Sequence, residues 1–280
     1  MKIDFPIEPA VRKRTSVRNY ADQAIESEKI QAIESFENGL DNPFGKEVTF
    51  HFLDQSDLND QPNLGTYGVI KGAQRYMGAS ILEEPMALEA LGYEFEAVIL
   101  YLAHLGLGSC WLGGTFNRKG FAAAMNIGEH TLFPAISPFG YGASKKHLTE
   151  TMMRKVIRAD HRKPWEKLFF SQDFLSPLTK EAAGDLEFPL EMLRLGPSAS
   201  NKQPWRILLK EGAVHFYEYK EPRYSDSFPY DIQRLDMGIA VAHFDLAVQE
   251  KGIPGHFETA AEPQLALPAH MHYCCSWIRG

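Results

Sequence analysis

Ten residues, 196–205 (GPSASNKQPW), place turn formers, small hydroxyls, two side-chain amides and an indole directly ahead of an extended run. Pro197 fixes the backbone, and Ser198, Ala199 and Ser200 are small enough to let a flat ligand approach the main chain. Asn201 and Gln203 add paired donors and acceptors, and Pro204 with Trp205 opens the strand WRILLK. The pattern describes either a ligand-contacting corner or an ordinary loop with a packed Trp. Near the start, RTSVR sets Arg14 and Arg18 around Thr15 and Ser16, a spacing able to clamp a phosphate through charge and neutral donors. Between these two segments, GLGSCWLGG ends in Gly113 and Gly114, which without side chains can bring main-chain N–H groups against a planar ligand. A basic region, residues 145–167, carries Arg154, Lys155, Arg158, Arg162 and Lys163. It is a solvated face or the source of further cations for the same anion site.

Other chemistries are weaker. GLGSCWLGG follows a helix instead of opening one, so it is no dinucleotide fingerprint. His270, His272 and Cys274 alternate along an expected strand, yet no second ligand cluster at zinc-like spacing accompanies them, which favours packing. No Gly-x-Ser-x-Gly elbow, Walker loop or His-Glu-x-x-His helix occurs. His104 and His243 fall within apolar helices and read as hydrogen-bonded core residues, and no metal site is expected.

The elements that must position these groups belong to a globular chain. It has 280 residues with 44% hydrophobic content, enough for one large core or two smaller ones. A formal net charge of -7 argues against a nucleic-acid binder and for small-molecule partners. Three cysteines, two of them adjacent, suggest no disulfide framework, and with no targeting signal evident a cytoplasmic protein is expected. The apolar stretch 97–114 reads as a buried helix and turn, not a membrane span, because it is interrupted by His104 and several glycines.

Periodicity predicts a helix over 27–39 with Ser27 as its cap, a strand over 48–53, an all-round apolar helix over 92–106 and a strand over 134–142. The second half repeats that order: a helix over 187–195, the strand 205–210, a helix over 238–252 and a closing strand after Pro268-Ala269. Shifting by 146 positions places Gly92 on Gly238, Gly106 on Gly252 and Trp111 on Phe257, and each half then reaches a Pro-Ala pair, at Pro134 and Pro268. This is the signature of an internal duplication.

Taken together, RTSVR, GLGSCWLGG, PAISPFGYG, RADHRKPWEKL and GPSASNKQPW resemble the nitroreductase family of FMN-dependent oxidoreductases, and within it the single-chain, fused-repeat subgroup. The resemblance covers most of the chain. It implies an α+β, nitroreductase-like fold, in which two tandem repeats form an intramolecular pseudo-dimer and mixed sheets flanked by helices surround central helices. Residues 1–170 would be the first unit and 171–280 a second, degenerate one. Arg14, Thr15 and Ser16 would hold the FMN phosphate, Arg18 would reach the N1 and C2-carbonyl edge of the ring, and Gly113 and Gly114 would face N5. Arg162, with Lys163, would complete the phosphate clamp, Arg158 being its competitor, and Pro197, Ser198, Ala199 and Asn201 would close the site from the second unit. Because residues 40–48 replace the serine-rich corner in the first half, one site per chain is implied. The implied activity is ping-pong hydride transfer from NADH or NADPH through FMN to a nitroaromatic, a quinone or a related electrophile, with no protein acid or base required. A flavin binder without reductase activity and a non-enzymatic interaction module are the alternatives. Small-molecule partners, with neither nucleic acid nor membrane, and a monomeric pseudo-dimer complete the expectation.

Overall fold

The computed structural model describes residues 3–57, 64–143 and 161–280. After α1 (Ile7–Lys13), helix α2 (Ser27–Asn38) leads to β1 (Thr49–Asp54), β2 (Arg75–Leu82), α3 (Ala87–His104), β3 (Gly108–Ser109), α4 (Arg118–Ala124) and β4 (Thr131–Gly140). A short β5 (Phe169–Ser171) and α5 (Lys180–Ala183) precede a second series. That series is α6 (Glu187–Leu195), β6 (Trp205–Lys210), β7 (Ala213–Tyr219), α7 (Gln233–Glu250), β8 (Gly255–Glu258) and β9 (Met271–Arg279). The first sheet runs β1-β2-β4-β3 and the second β5-β6-β7-β9-β8, so without β5 the two strand orders are copies of one another. The first is antiparallel throughout. The second is mixed, because β5 pairs in parallel with β6. The fold is therefore α+β, with two similar repeats side by side. The expected join at 170/171 lies inside β5.

Helices α3 and α7 form the centre. A surface helix buries one stripe, whereas α3 buries every residue except Tyr101 and His104, including the acids Glu89, Glu94 and Glu96. The two helices cross where each lacks a side chain. A Cβ on Gly92 would stand 2.3 Å from Leu235 O, and one on Gly238 would stand 2.1 Å from Glu89 O. Since Leu235 and Glu89 are themselves 146 positions apart, the contact is reciprocal, like an isologous interface within one chain.

That crossing explains where the expected boundaries fail. Gly92 and Gly238 were read as helix starts, but the helices begin at Ala87 and Gln233, because these glycines serve close approach inside the helix. Gly106 (φ 82°) and Gly252 (φ 65°) do act as stops, in the left-handed conformation that terminates helices. Ser27 opens α2 but does not cap it; Glu26 occupies the cap position, and its side chain makes no capping bond. The Pro-Ala pairs are not structural equivalents. Pro134 lies within β4 at a register shift against β2, where an extra residue tolerates its missing N–H, whereas Pro268 precedes β9. A second shift, between Phe216 and Tyr217 of β7, lets the adjacent Cys274 and Cys275 both face inward, while His270 and His272 are exposed. Among the described residues, no helix is long and apolar enough to cross a membrane.

Candidate functional site

A cavity of about 290 Å³ is walled by both repeats. Ser16, Arg18, Trp111, Gly113 and Gly114 come from the first, and Pro197, Ser198, Ala199, Ser200, Tyr224, Phe228 and Asp236 from the second. A wider depression of about 940 Å³ around Thr66 and Asn117 belongs to the first repeat alone and contains none of the expected site residues.

The first wall is built by extending the chain past α1. Arg14 N–H closes the helix on Ala10 O at 2.9 Å, and the chain then lies beside β3, with Ser16 bridging Ser109 and Val17 N–H donating to Ser109 O at 2.8 Å. Gly108 makes this possible, since a Cβ there would meet Val17 Cγ2 at 2.7 Å. Arg18 is thereby turned inward: it is 8% exposed, and its Nε and Nη1 have no hydrogen-bond partner among the described residues. A buried guanidinium with unsatisfied donors is a costly arrangement, and it stands in the wall of the cavity. Beyond β3, Leu112 pairs with Ile136 and delivers Gly113 and Gly114 to the cavity. Arg118 locks that turn by donating through Nη2 to Gly113 O at 2.6 Å and through Nη1 to Phe133 O at 2.5 Å. A Cβ on Gly113 would stand 2.8 Å from Ile232 Cδ1, and one on Gly114 3.1 Å from Phe228 Cζ.

The opposite wall has two faces. Pro197, Ser198, Ala199 and Ser200 line the cavity, whereas Asn201, Gln203 and Trp205 turn away from it and hold the corner together. Ser200, Asn201 and Gln203 all adopt positive φ, at 47°, 55° and 49°. Such strain persists only where surrounding bonds over-determine it. Gln203 N–H donates to Ser198 Oγ at 2.8 Å, Asn201 N–H to Ser198 O at 2.9 Å, and Gln203 Oε1 accepts from Lys163 N–H at 2.7 Å. Gln203 is 1% exposed, so it is a bracket and not a ligand group. The corner thus has a cavity-lining edge, Pro197 to Ser200, and a base bonded to itself.

Not every expected site residue reaches the cavity. Thr15 is exposed, and Arg14, Thr15, Arg162, Lys163 and Asn201 do not line it. Arg162 donates to Leu195 O at 3.1 Å and Asn201 Nδ2 to His161 O at 2.9 Å, fastening the segment behind the corner. Lys163 Nζ donates to Gln203 O at 3.2 Å, and burial, with the like charges of Arg206 and Lys202, pulls its amine down to about 8. Arg158 lies outside the described residues.

Three groups escaped the sequence reading. Trp111 lines the cavity while its Nε1–H donates to Glu96 Oε2 at 2.7 Å. Glu96 Oε1 in turn meets His243 Nε2 at 2.9 Å, and His243 Nδ1 donates to Met192 O at 2.9 Å. Glu96 and His243 are fully buried and link α3 to α7 behind the indole. His243 is thus the hydrogen-bonded core residue expected, whereas His104 is exposed and stacks on Phe5 with ring centroids 5.2 Å apart. Tyr224 and Phe228, from the connection between β7 and α7, cover the glycines, and Tyr224 O–H donates to Ser200 Oγ at 2.9 Å. Asp236, 2% exposed in the first turn of α7, accepts Ala199 N–H through Oδ1 at 2.9 Å. Its one visible signal was an acid two positions before Gly238, hidden by starting the helix too late.

The family profile described as "Putative TM nitroreductase" matches residues 6–248. A solved structure described as a "putative nitroreductase" from Thermotoga maritima is 20% identical, superposes with a TM-score of 0.63, and covers 100% of this chain and 96% of that one. An FMN-dependent nitroreductase from Clostridium difficile shares 20% identity at a TM-score of 0.43, over 50% of this chain and 89% of its own. A nitroreductase with bound FMN from Bacteroides fragilis shares 17% identity at 0.42, over 52% and 92%. No curated protein matches the chain.

Proposed function

The chain belongs to the nitroreductase family described by that profile, and we propose that it is an FMN-dependent oxidoreductase moving hydride from NADH or NADPH to a nitroaromatic, a quinone or a related electrophile. The observation that carries this reading is the shared cavity. The buried Arg18 of one repeat, whose Nε and Nη1 have no hydrogen-bond partner among the described residues, the Gly113–Gly114 pair and the Pro197–Ser198–Ala199 edge of the other repeat line one hollow. Those residues fit a flat, electron-rich heterocycle: the guanidinium offers donors, and the glycines admit a ring against the backbone.

When bound, FMN would supply two-electron carrier chemistry. The chain's own tasks are electrostatic and steric. Arg18 places a fixed positive charge in a site shielded from water, which favours whichever redox state carries more negative charge. Gly113 and Gly114 bring main chain to the cavity beside the Ile232 and Phe228 side chains, and Trp111, held by Glu96, fixes the neighbouring wall. Ser16, on the segment anchored to β3, and Arg14 and Thr15 beside it are the residues we assign to the phosphate end, whereas Arg162 and Lys163 brace the corner from behind. Asn201 secures the corner from behind. A cavity walled by both repeats supports one flavin per chain, with the single chain serving as its own dimer.

The test is direct. Purified protein titrated with FMN should bind one equivalent, and anaerobic NADH or NADPH should then bleach the visible flavin absorbance. Retained FMN that neither nucleotide bleaches would reduce the protein to a flavin binder, and failure to bind FMN would remove the reading altogether.

A further inference from the structure

Glu96 of α3 and His243 of α7 are fully buried and neither lines the cavity, yet between them they connect its two walls. On one side Glu96 Oε2 accepts Trp111 Nε1–H at 2.7 Å, and Trp111, packed on Phe95 with ring centroids 4.4 Å apart, lines the cavity. On the other side His243 Nδ1 donates to Met192 O at 2.9 Å, in the last turn of α6. That helix ends as Gly196 N–H closes on Leu193 O at 3.0 Å, and Gly196 passes so near the imidazole that a Cβ on it would stand 3.6 Å from His243 Cδ2. The next residue, Pro197, is the cavity's second edge. His243 also stands one helical turn past Ile239, which lines the cavity from α7. A line of three hydrogen bonds thus runs behind the cavity from one wall to the other.

A carbonyl only accepts, so His243 Nδ1 carries hydrogen, and the 2.9 Å contact of Nε2 with Glu96 Oε1 holds one further proton. Whichever of the two atoms carries it, the pair has no net charge and needs no counter-ion. The molecule also shows what the fold does without it. Under the 146-position shift Glu96 falls on Ala242, His243 on Ala97 and Trp111 on Phe257. The second repeat builds the same helix and strand with two alanines and a phenyl ring that packs against Phe216 and Phe244. A buried polar pair gains no stability over well-packed apolar side chains, so its presence on the cavity side alone calls for a role there.

We propose that Glu96 and His243 are positioning residues, a strut that fixes the indole of Trp111 relative to the Gly196–Pro197 edge and so sets the spacing into which a flat ligand must fit. The inference rests on the FMN reading above for the identity of that ligand, and it assigns the strut no chemical step.

The experiment compares wild type with Glu96→Gln and Glu96→Leu, each labelled with 5-fluorotryptophan, by fluorine NMR and by FMN titration. The chain has four Trp, so the line of Trp111 is identified by its loss in Trp111→Phe. Gln keeps the strut: its oxygen accepts the indole N–H and its amide N–H donates to His243 Nε2. Trp111 should then give a single line near the wild-type position, and FMN affinity should stay within about threefold of wild type. Leu cuts both bonds, so the Trp111 line should broaden or split and FMN affinity should fall about tenfold, while the other Trp lines hold their positions and show that the protein is folded. Should Leu fail to fold, Trp111→Phe, which cuts the indole bond and leaves the bond between α3 and α7 in place, should weaken FMN binding by about threefold or more. The strut is overturned, and the flavin reading kept, if folded Glu96→Leu leaves either the Trp111 line or FMN affinity as in wild type, if Gln weakens binding as much as Leu, or if Trp111→Phe binds FMN as wild type does. Wild-type protein that binds no FMN overturns both.

Discussion

Each repeat makes a corner between its leading helix and its first strand, and the two corners have opposite fates. In the first repeat, the connection from α2 to β1 is plugged by its own side chains. Asn42, 6% exposed, donates to Lys46 O at 2.7 Å and to Glu94 Oε1 at 2.6 Å, and its Oδ1 receives Phe44 N–H at 3.1 Å and Lys46 N–H at 3.3 Å. In the second repeat, the connection from α6 to β6 stays hollow, and the acid reaching it from the central helix, Asp236, keeps Oδ2 unpartnered. With the 146-position shift, Glu94 corresponds to Ala240, so the two acids stand one helical turn apart. The difference is that the first corner satisfies its buried polar groups internally, whereas the second, though braced by Gln203, leaves Asp236 Oδ2 without a partner among the described residues.

That contrast can be broken from the middle outward. Gly238→Ala drives a Cβ to 2.1 Å from Glu89 O at the crossing on which both corners lean. It should cost on the order of 4 kcal/mol in urea-unfolding free energy, beyond ordinary overpacking because the obstacle is backbone. Next comes the buried acid of the closed corner. Burial chiefly, with Asp41 and Glu37 adding to it and Asn42 opposing, pushes Glu94 up from 4.5 to about 7. Across that interval the folded protein binds the extra proton, so stability is greatest at the acid end and falls as pH rises towards the folded value. Glu94→Gln should flatten that fall by about 3 kcal/mol at most, read as the difference between paired unfolding curves at several pH values. Glu218, also pushed to about 7, remains in both proteins and cancels from that difference.

Smaller effects separate the corners more sharply. Asn42→Ala should lower stability by about 2 kcal/mol, because it strands buried backbone and carboxylate groups, while leaving FMN affinity unchanged. Arg18→Ala should do the reverse: thermal unfolding of the apo protein stays close to wild type or improves, while FMN binding weakens about tenfold, roughly 1.4 kcal/mol. Equal effects of the two substitutions on binding and stability would show that the corners do not differ in kind.

Much of this was legible in the sequence, and what was missed has physical causes. The resemblance carried by RTSVR, GLGSCWLGG and GPSASNKQPW marked Arg18, Gly113, Gly114 and the 197–199 edge, all of which line the cavity. The duplication was legible through Gly92 and Gly238, although those glycines mark a helix crossing and not helix ends. Strand β7 went unread despite a usable signal: Glu211 (φ 54°) and Gly212 (φ 78°) form the two-residue hairpin turn that links it to β6. Strand β2 offered less, being buried from Tyr76 to Ile81 with no alternation to read. Asp236, Trp111 and Phe228 could not be assigned from spacing, because their roles arise from contact between elements distant in sequence. The amides of Asn201 and Gln203 suit a ligand equally well in the sequence, and in the structure they bond to His161 O, Lys163 N–H and each other.

The reciprocal contact of Gly92 and Gly238 has a consequence for how such a molecule can change. In an assembly of two identical chains, every substitution is written twice, and a residue that sharpens one pocket must be tolerated in its mirror image. Here each codon addresses one location. Only positions on the shared axis remain bound to their counterparts, and elsewhere the halves can specialise separately, one as a sealed buttress and the other as a receptor.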